Sequence, residues 1–155
     1  MRLQELFRPE DVLVDFEPRD KWDAIDLLLT HMTVGGRIPQ PHVEDISDAV
    51  VARERSMSTG MEHGISIPHA AVDGIEEAMA ALGIVRRPEG VNFESIDGSH
   101  TQLVVLLLIP REEKLLHIRT LADVARVLGN ESVRKSLVQA ETAGEAWHAL
   151  SEGSP

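Results

Sequence analysis

The sequence contains no cysteine, and this absence removes several kinds of chemistry together. Without cysteine the chain cannot form a disulfide, hold a cysteine-ligated zinc ion or use a thiolate nucleophile. Any covalent chemistry therefore falls to other side chains.

Positive charge is also scarce, because 15 Lys and Arg residues stand against 26 Asp and Glu, for a formal net charge of −11. A nucleic acid would be repelled by this charge, so we expect no nucleic-acid partner. The N-terminus lacks an apolar signal core, and no apolar run is long enough to cross a bilayer. We therefore expect a cytoplasmic protein that is not integral to the membrane.

Motifs for common cofactors are missing as well. The chain has neither a phosphate-binding Gly-x-x-x-x-Gly-Lys-Ser/Thr loop nor a dinucleotide glycine fingerprint. Seven histidines are present without a His-x-x-x-His pair, and the nearest two, His63 and His69, are separated by Gly64 and Pro68. Ser66 lacks the context of a hydrolase nucleophile. We expect neither a cofactor nor a metal ion.

The most apolar stretch, Leu103–Ile109, predicts the central strand of an α/β fold. Seven consecutive apolar residues without alternation indicate burial on both faces, so helices should cover both sides of the sheet. At 155 residues and 43% hydrophobic content, we expect a single domain over residues 1–155, with a core from about 3 to 150.

The remaining elements follow from periodicity and from turn signals. Further strands are predicted at Val12–Phe16, Gly64–Pro68, Met79–Val85 and Val91–Phe93, with a turn at Asp97–Gly98 and a connection over Val72–Glu77. A helix capped by Asp20 should carry Trp22, Ile25, Leu28, Leu29 and Met32 as core scaffold. Four more helices are predicted at Val43–Arg55, Leu115–Leu128, Val133–Leu137 and Thr142–Leu150, followed by a frayed tail from Ser151 to Pro155.

His69 is the candidate nucleophile of the chain. Pro68 fixes its own φ and holds Ile67 in an extended conformation, so the backbone that carries His69 to a strand end has little freedom. Neutral imidazole can attack phosphorus if nearby cations or donors offset the charge of the transferred group. The residues thus indicate histidine-based phosphoryl chemistry.

Three further features could serve that chemistry. Arg53 continues the apolar stripe of its helix, where it could meet an anion, although it could also extend to solvent or pair with a carboxylate. The following loop offers the hydroxyls and amides of Ser58, Thr59 and Gly60 to a phosphate. His117 lies at a helix N-terminus beyond the central strand, a place that favours anions, although a histidine on an apolar face is more often a core residue.

In their order, these features resemble the enzyme IIA domain of the bacterial phosphotransferase system, of the fructose, mannitol and nitrogen-regulatory type. The resemblance covers about Leu3 to Leu150 and is carried by Arg53-Glu54, Ser58-Thr59-Gly60, Gly64-Ile-Ser-Ile-Pro-His69, Val91-Asn-Phe93 with Asp97-Gly98, the strand ending at Pro110, and Leu116-His-Ile118 with Leu121. It implies an α/β fold with a mixed sheet between helices. It also implies that His69 is phosphorylated, with His117 as the second active-site histidine and Arg53 as the nearby arginine.

The resemblance also implies partners. The histidine-containing phosphocarrier protein would donate the phosphoryl group, and sugar-transporting members pass it to a cysteine of enzyme IIB, which here would be a separate protein. Because no enzyme IIB or membrane segment is attached, we expect a free-standing nitrogen-regulatory type of regulator with its own target proteins. The alternatives are a sugar-specific enzyme IIA and a domain that kept the fold but lost phosphotransfer.

Overall fold

The computed structural model describes residues 3–152. In this range the strands are Phe7–Leu13 (β1), Ile65–Ser66 (β2), His69–Val72 (β3), Met79–Ile84 (β4) and Leu103–Pro110 (β5). The helices are Leu3–Leu6 (α1), Lys21–Val34 (α2), Val43–Ser56 (α3), Lys114–Leu128 (α4), Glu131–Gln139 (α5) and Ala143–Glu152 (α6), with 3₁₀ turns at Gln40–His42 and Glu62–Gly64.

The five strands form one mixed sheet around β5. Strand β4 pairs with β5 in the antiparallel sense, whereas β2 and β3 follow one another along its other edge in the parallel sense, and β1 pairs with β4. Side chains of β5 alternate between two buried clusters: Leu103, Val105, Leu107 and Ile109 face one, and Val104, Leu106 and Leu108 face the other. The first cluster packs against α4, α5 and α6, and the second against α2 and α3. The predicted α/β fold, with a mixed sheet between helices, is confirmed.

The first strand lies earlier than the predicted Val12–Phe16. It begins at Phe7 and includes Pro9, with an irregular register against β4 between Phe7 and Val12. Proline is tolerated because β1 is an edge strand, where a missing N–H leaves no ladder bond unmade. The predicted strand therefore began five residues too late and ended three residues too late.

The strand before His69 also differs from its prediction. Ile65 and Ile67 share one face as expected, since both lie in the buried cluster that packs against α4, α5 and α6. However, Pro68 interrupts the edge rather than ending it, because its carbonyl accepts a hydrogen bond from the Leu107 amide at 3.0 Å. His69 consequently begins strand β3, whose last residue, Val72, is the first residue of the segment predicted to be a connection.

The predicted strand Val91–Phe93 and the predicted core position of Trp22 need correction, whereas the predicted turn at Asp97–Gly98 is present. Val91–Phe93 is not a strand: Val91 forms one isolated bridge with Thr101, although Phe93 is fully buried. The turn at Asp97–Gly98 is present, with the Gly98 amide donating to the Ser95 carbonyl at 3.0 Å. Trp22 is 40% exposed, so it is not part of the core.

The predicted helices are present, each with bounds shifted by a few residues. Asp20 caps α2 as predicted, because its side chain accepts the Asp23 amide. Thr142 likewise accepts the Glu145 amide at 3.1 Å at the start of α6. The predicted frayed tail lies outside the described residues beyond Glu152, while Ser151 and Glu152 complete α6.

Candidate functional site

His69 lies at the start of β3 with its side chain almost enclosed, at 8% exposure. Its Nδ1 is 2.7 Å from the carbonyl oxygen of Ile67, two residues earlier. A carbonyl can only accept a hydrogen bond, so Nδ1 must carry the proton. In neutral imidazole the lone pair then belongs to Nε2. The backbone thus selects which nitrogen of His69 can act as a nucleophile.

The surroundings also keep the ring neutral. Burial lowers the pKa of His69 below its ordinary value, and the charges of Arg53 and His117 lower this pKa further. The bond to Ile67 acts in the opposite direction because it favours an N–H donor, and Glu54 also raises the pKa. The net effect lowers the pKa, so His69 retains its lone pair at neutral pH.

His117, in the first turn of α4, meets His69 edge to face. The two ring centroids are 5.4 Å apart with an interplanar angle of 77°. The His117 side chain is half-buried, and its ring has no hydrogen-bond partner among residues 3–152. Burial lowers the pKa of His117, and the charge of Arg53 lowers it further. His117 therefore faces the site with both ring nitrogens available.

Arg53 approaches His69 from the last turns of α3. Its Nη1 donates to the Met57 carbonyl at 3.0 Å, which ties the guanidinium to the loop that follows the helix. Within the described part of the chain Arg53 forms no ion pair with a carboxylate. It therefore presents uncompensated positive charge to the site, as an anion would require.

These groups border a cavity of about 370 Å³ between α3, α4, the loop that follows α3 and the loop that precedes β5. Arg53 and His69 line it together with Ser58, Thr59 and Gly60, so the loop returns to the arginine as predicted from the sequence. The other lining residues are apolar: Met61, Ile67, Ile96, Leu121, Ala122 and Ala125. An apolar wall with one cation and one histidine strengthens electrostatic attraction for a small anion.

The polar groups of that loop are already engaged within the fold. The amide and hydroxyl of Thr59 donate to Glu54 at 2.9 and 2.5 Å. The hydroxyl of Ser58 donates to the Phe93 carbonyl and accepts the Gly60 amide. These three residues shape the cavity, and a phosphate would have to compete for their donors.

Glu54 was not predicted as a site residue, although the sequence contained a signal for it. The residue is 2% exposed and follows Val50 by one helical turn on the buried face of α3. Besides Thr59, its carboxylate binds Lys21 Nζ at 3.3 Å, and that ammonium lies 3.7 Å from Glu94. A carboxylate in an apolar helical stripe marks a buried polar network.

Residues 3–152 show neither a metal-binding cluster nor a membrane-spanning helix. No cluster of three or more histidine and acidic side chains has the arrangement of a metal site. None of the helices in that range has the length and apolar character needed to cross a membrane.

Comparison with known sequences identifies the family. The profile of a family described as "Phosphoenolpyruvate-dependent sugar phosphotransferase system, EIIA 2" matches residues 5–153. Because this match spans nearly the whole chain, the protein belongs to that family. The resemblance noted from the sequence is thereby confirmed. Proteins of this family are phosphotransferase components.

Individual relatives have two kinds of name. The chain is 30% identical to the "PTS system fructose-specific EIIA component" of Haloferax volcanii, covering 92% of this chain and 90% of that protein. It is 29% identical to the "Nitrogen regulatory protein" of Pseudomonas aeruginosa, with coverage of 92% and 90%. By contrast, it spans only 22% of the "PTS system fructose-specific EIIABC component" of Bacillus subtilis.

A solved structure agrees with the fold. Nitrogen Regulatory Protein IIA-Ntr from Neisseria meningitidis superimposes with a TM-score of 0.83 at 26% identity, covering 96% of this chain and 98% of the other. The similarity therefore extends over the sheet and the helices on both of its faces.

Proposed function

We propose that the protein is a phosphoryl carrier in which His69 Nε2 accepts a phosphoryl group from the histidine-containing phosphocarrier protein. The observation that carries this proposal is the hydrogen bond from His69 Nδ1 to the Ile67 carbonyl, which leaves the Nε2 lone pair available. Family membership supplies the type of reaction.

In this step the Nε2 lone pair forms a bond to phosphorus while the phosphorus–nitrogen bond of the donor's phosphohistidine breaks. The electron pair of the broken bond returns to the donor imidazole. Positive charge develops on the His69 ring, where the Ile67 carbonyl stabilises it through the Nδ1 proton. Arg53, which lines the cavity, and His117, which contacts the His69 ring, would stabilise the negative oxygens of the transferred group.

A partner protein would reach the site over an apolar rim. Ile96 lines the cavity and is 79% exposed, and Met57, next to Ser58, is 67% exposed. On α4, Ile118 is exposed and lies three residues before Leu121, which also lines the cavity. Exposed apolar side chains grouped at one site are typical of a docking surface.

Within this function, we favour a nitrogen-regulatory type of regulator. The relatives with that name include the Pseudomonas protein and the Neisseria structure, both matched over almost their full length. The second candidate is a sugar-specific enzyme IIA that transfers the group to a separate enzyme IIB. The Haloferax fructose component, similar in length and identity, favours it.

Phosphorylation would distinguish the two candidates through partner binding. A phosphoryl group adds a charge of about −1.5 to −2, by analogy with phosphorylated hydroxyl residues, to an already acidic protein. A regulator should bind a target protein with clearly different affinity before and after phosphorylation, which a pull-down with both forms can measure. If the only partner is an enzyme IIB that passes the phosphoryl group to a sugar, the regulatory assignment is wrong.

A further inference from the structure

The ion pair with Lys21 does not by itself offset the desolvation free energy of burying the Glu54 carboxylate. Removing a carboxylate from water is expensive, and a buried ion pair seldom recovers the full cost. Here the carboxylate is 2% exposed, and it accepts two hydrogen bonds from Thr59 in addition to its contact with Lys21. The two bonds to one residue fix the backbone of the loop at Thr59.

From Thr59 a continuous path of hydrogen bonds leads to the nucleophile. The Thr59 carbonyl accepts the Ile67 amide at 3.2 Å, and the Ile67 carbonyl accepts His69 Nδ1 at 2.7 Å. The two segments are held in register by a bridge between Gly60 and Ser66. A displacement at Thr59 would therefore move the carbonyl that selects the protonated nitrogen of His69.

We infer that Glu54 is a positioning residue, which holds His69 in its nucleophilic tautomer through Thr59 and Ile67. This inference rests on the proposed role of His69 as phosphoryl acceptor. Glu54 does not touch the reacting atoms, so its effect is on the orientation and protonation pattern of the ring. Errors of about 1 Å in such positions can cost about 10²-fold in rate.

Asp11 provides a matched control for loss of a buried carboxylate. Like Glu54 it is 2% exposed, and it pairs with a cation, Arg37 Nη1, at 2.9 Å. It lies on β1, which is separated from β3 by β4 and β5. Asp11→Asn should thus reproduce the loss of stability without reaching His69.

The test combines two readouts on the full chain. Long-range ¹H–¹⁵N spectra of the unphosphorylated protein at pH about 8, above the ordinary histidine pKa, report the His69 tautomer. Phosphotransfer assays report the rate of acceptance. We expect Glu54→Gln to mix the two tautomers and to slow acceptance about 10- to 100-fold. Asp11→Asn should lower the melting temperature with the tautomer and the rate unchanged.

A second variant covers the case in which Glu54→Gln does not fold. Thr59→Val keeps the volume of the side chain and the hydrogen bond from the backbone amide to Glu54, but it removes the hydrogen bond from the hydroxyl. We expect it to raise the population of the Nε2–H tautomer of His69 as well, by a smaller amount than Glu54→Gln. The inference is overturned if the folded variants keep the Nδ1–H tautomer and the wild-type rate. If the wild-type protein accepts no phosphoryl group, the proposed function is contradicted. The tautomer measurement still tests the role of Glu54 in that case, because it needs no phosphoryl donor.

Discussion

At the scale of the residue, two side chains approach His69 from different helices. Arg53 comes from α3 and His117 from α4, and neither is held by an ion pair within the described residues. Groups that serve the fold would be expected to have buried partners. Arg53 donates only to the Met57 carbonyl within the described residues, so its remaining donors and the His117 ring fit a role in binding the transferred group.

Replacing either residue should separate rate from stability. Removing one such electrostatic donor typically costs about 10²–10³ in rate, so Arg53→Gln and His117→Ala should slow phosphoryl acceptance by this amount. Because both side chains are only half-buried, melting temperatures should stay close to the wild-type value. Large losses in melting temperature with a normal transfer rate would assign both residues to the fold.

The pH dependence of stability provides a second test at this scale. The folded-state pKa of His69 is lowered, mainly by burial, so the unfolded chain binds a proton more readily than the folded chain. Stability is thus complete above the ordinary histidine pKa of about 6.5 and falls as the pH drops through the lower folded-state pKa.

We therefore expect denaturant unfolding of the wild type to show a loss of stability below pH about 6.5 that is smaller in His69→Gln, since glutamine does not titrate. Because the charge of His117 also lowers the pKa of His69, the comparison should be repeated with His117→Gln in both proteins, which removes the titration of the second histidine. Identical pH profiles for the two proteins would indicate that His69 is not held neutral by the fold.

At the scale of the element, the site depends on close contact between the loop that follows α3 and the loop that precedes β5. At Gly60 a Cβ atom would lie 2.7 Å from both the Phe93 carbonyl and the Ser95 hydroxyl, and 2.9 Å from Ser95 Cα. Backbone atoms cannot move aside as the end of a flexible side chain can. Glycine at position 60 therefore permits the contact that closes one side of the cavity.

Gly60→Ala should destabilise the protein by about 1–3 kcal/mol, the usual cost of forcing extra atoms into a packed region. It should also slow phosphoryl acceptance, because the displaced loop carries Thr59. Gly144→Ala is the control: in α6, its nearest contact would be 3.9 Å away, and alanine favours a helix by up to about 1 kcal/mol. Denaturant unfolding measures both, and equal stability of the two variants would exclude the close contact.

The sequence predicted elements well wherever a pattern was continuous. The apolar run of β5 and the amphipathic helices α2, α3 and α4 were found because burial imposes their periodicity. Prolines were less informative, since Pro9 lies inside an edge strand and Pro68 lies between two strands on one edge. A proline lacks the N–H donor, and only its place in the folded sheet shows whether a strand hydrogen bond required that donor.

At the scale of the whole molecule, the site residues come from segments that are distant in sequence. Arg53, His69 and His117 were each nominated from local context, and the fold brings Arg53 and His117 close to His69. Glu54 was not assigned a role from the sequence because its partners, Lys21 and Thr59, become its neighbours only when α2, α3 and the loop after α3 pack together. Local patterns can nominate a reactive group, whereas the network that orients it depends on tertiary contacts.

We propose above that His69 carries one phosphoryl group on Nε2. The direct measurement is to incubate the protein with phosphoenolpyruvate, enzyme I and the phosphocarrier protein, then to determine mass and the phosphorylated nitrogen by NMR. We expect one acid-labile phosphoryl group on Nε2, absent in His69→Ala and still formed, more slowly, in His117→Ala. An unmodified wild-type protein alongside a demonstrably active cognate donor, or a phosphoryl group on His117, would contradict it.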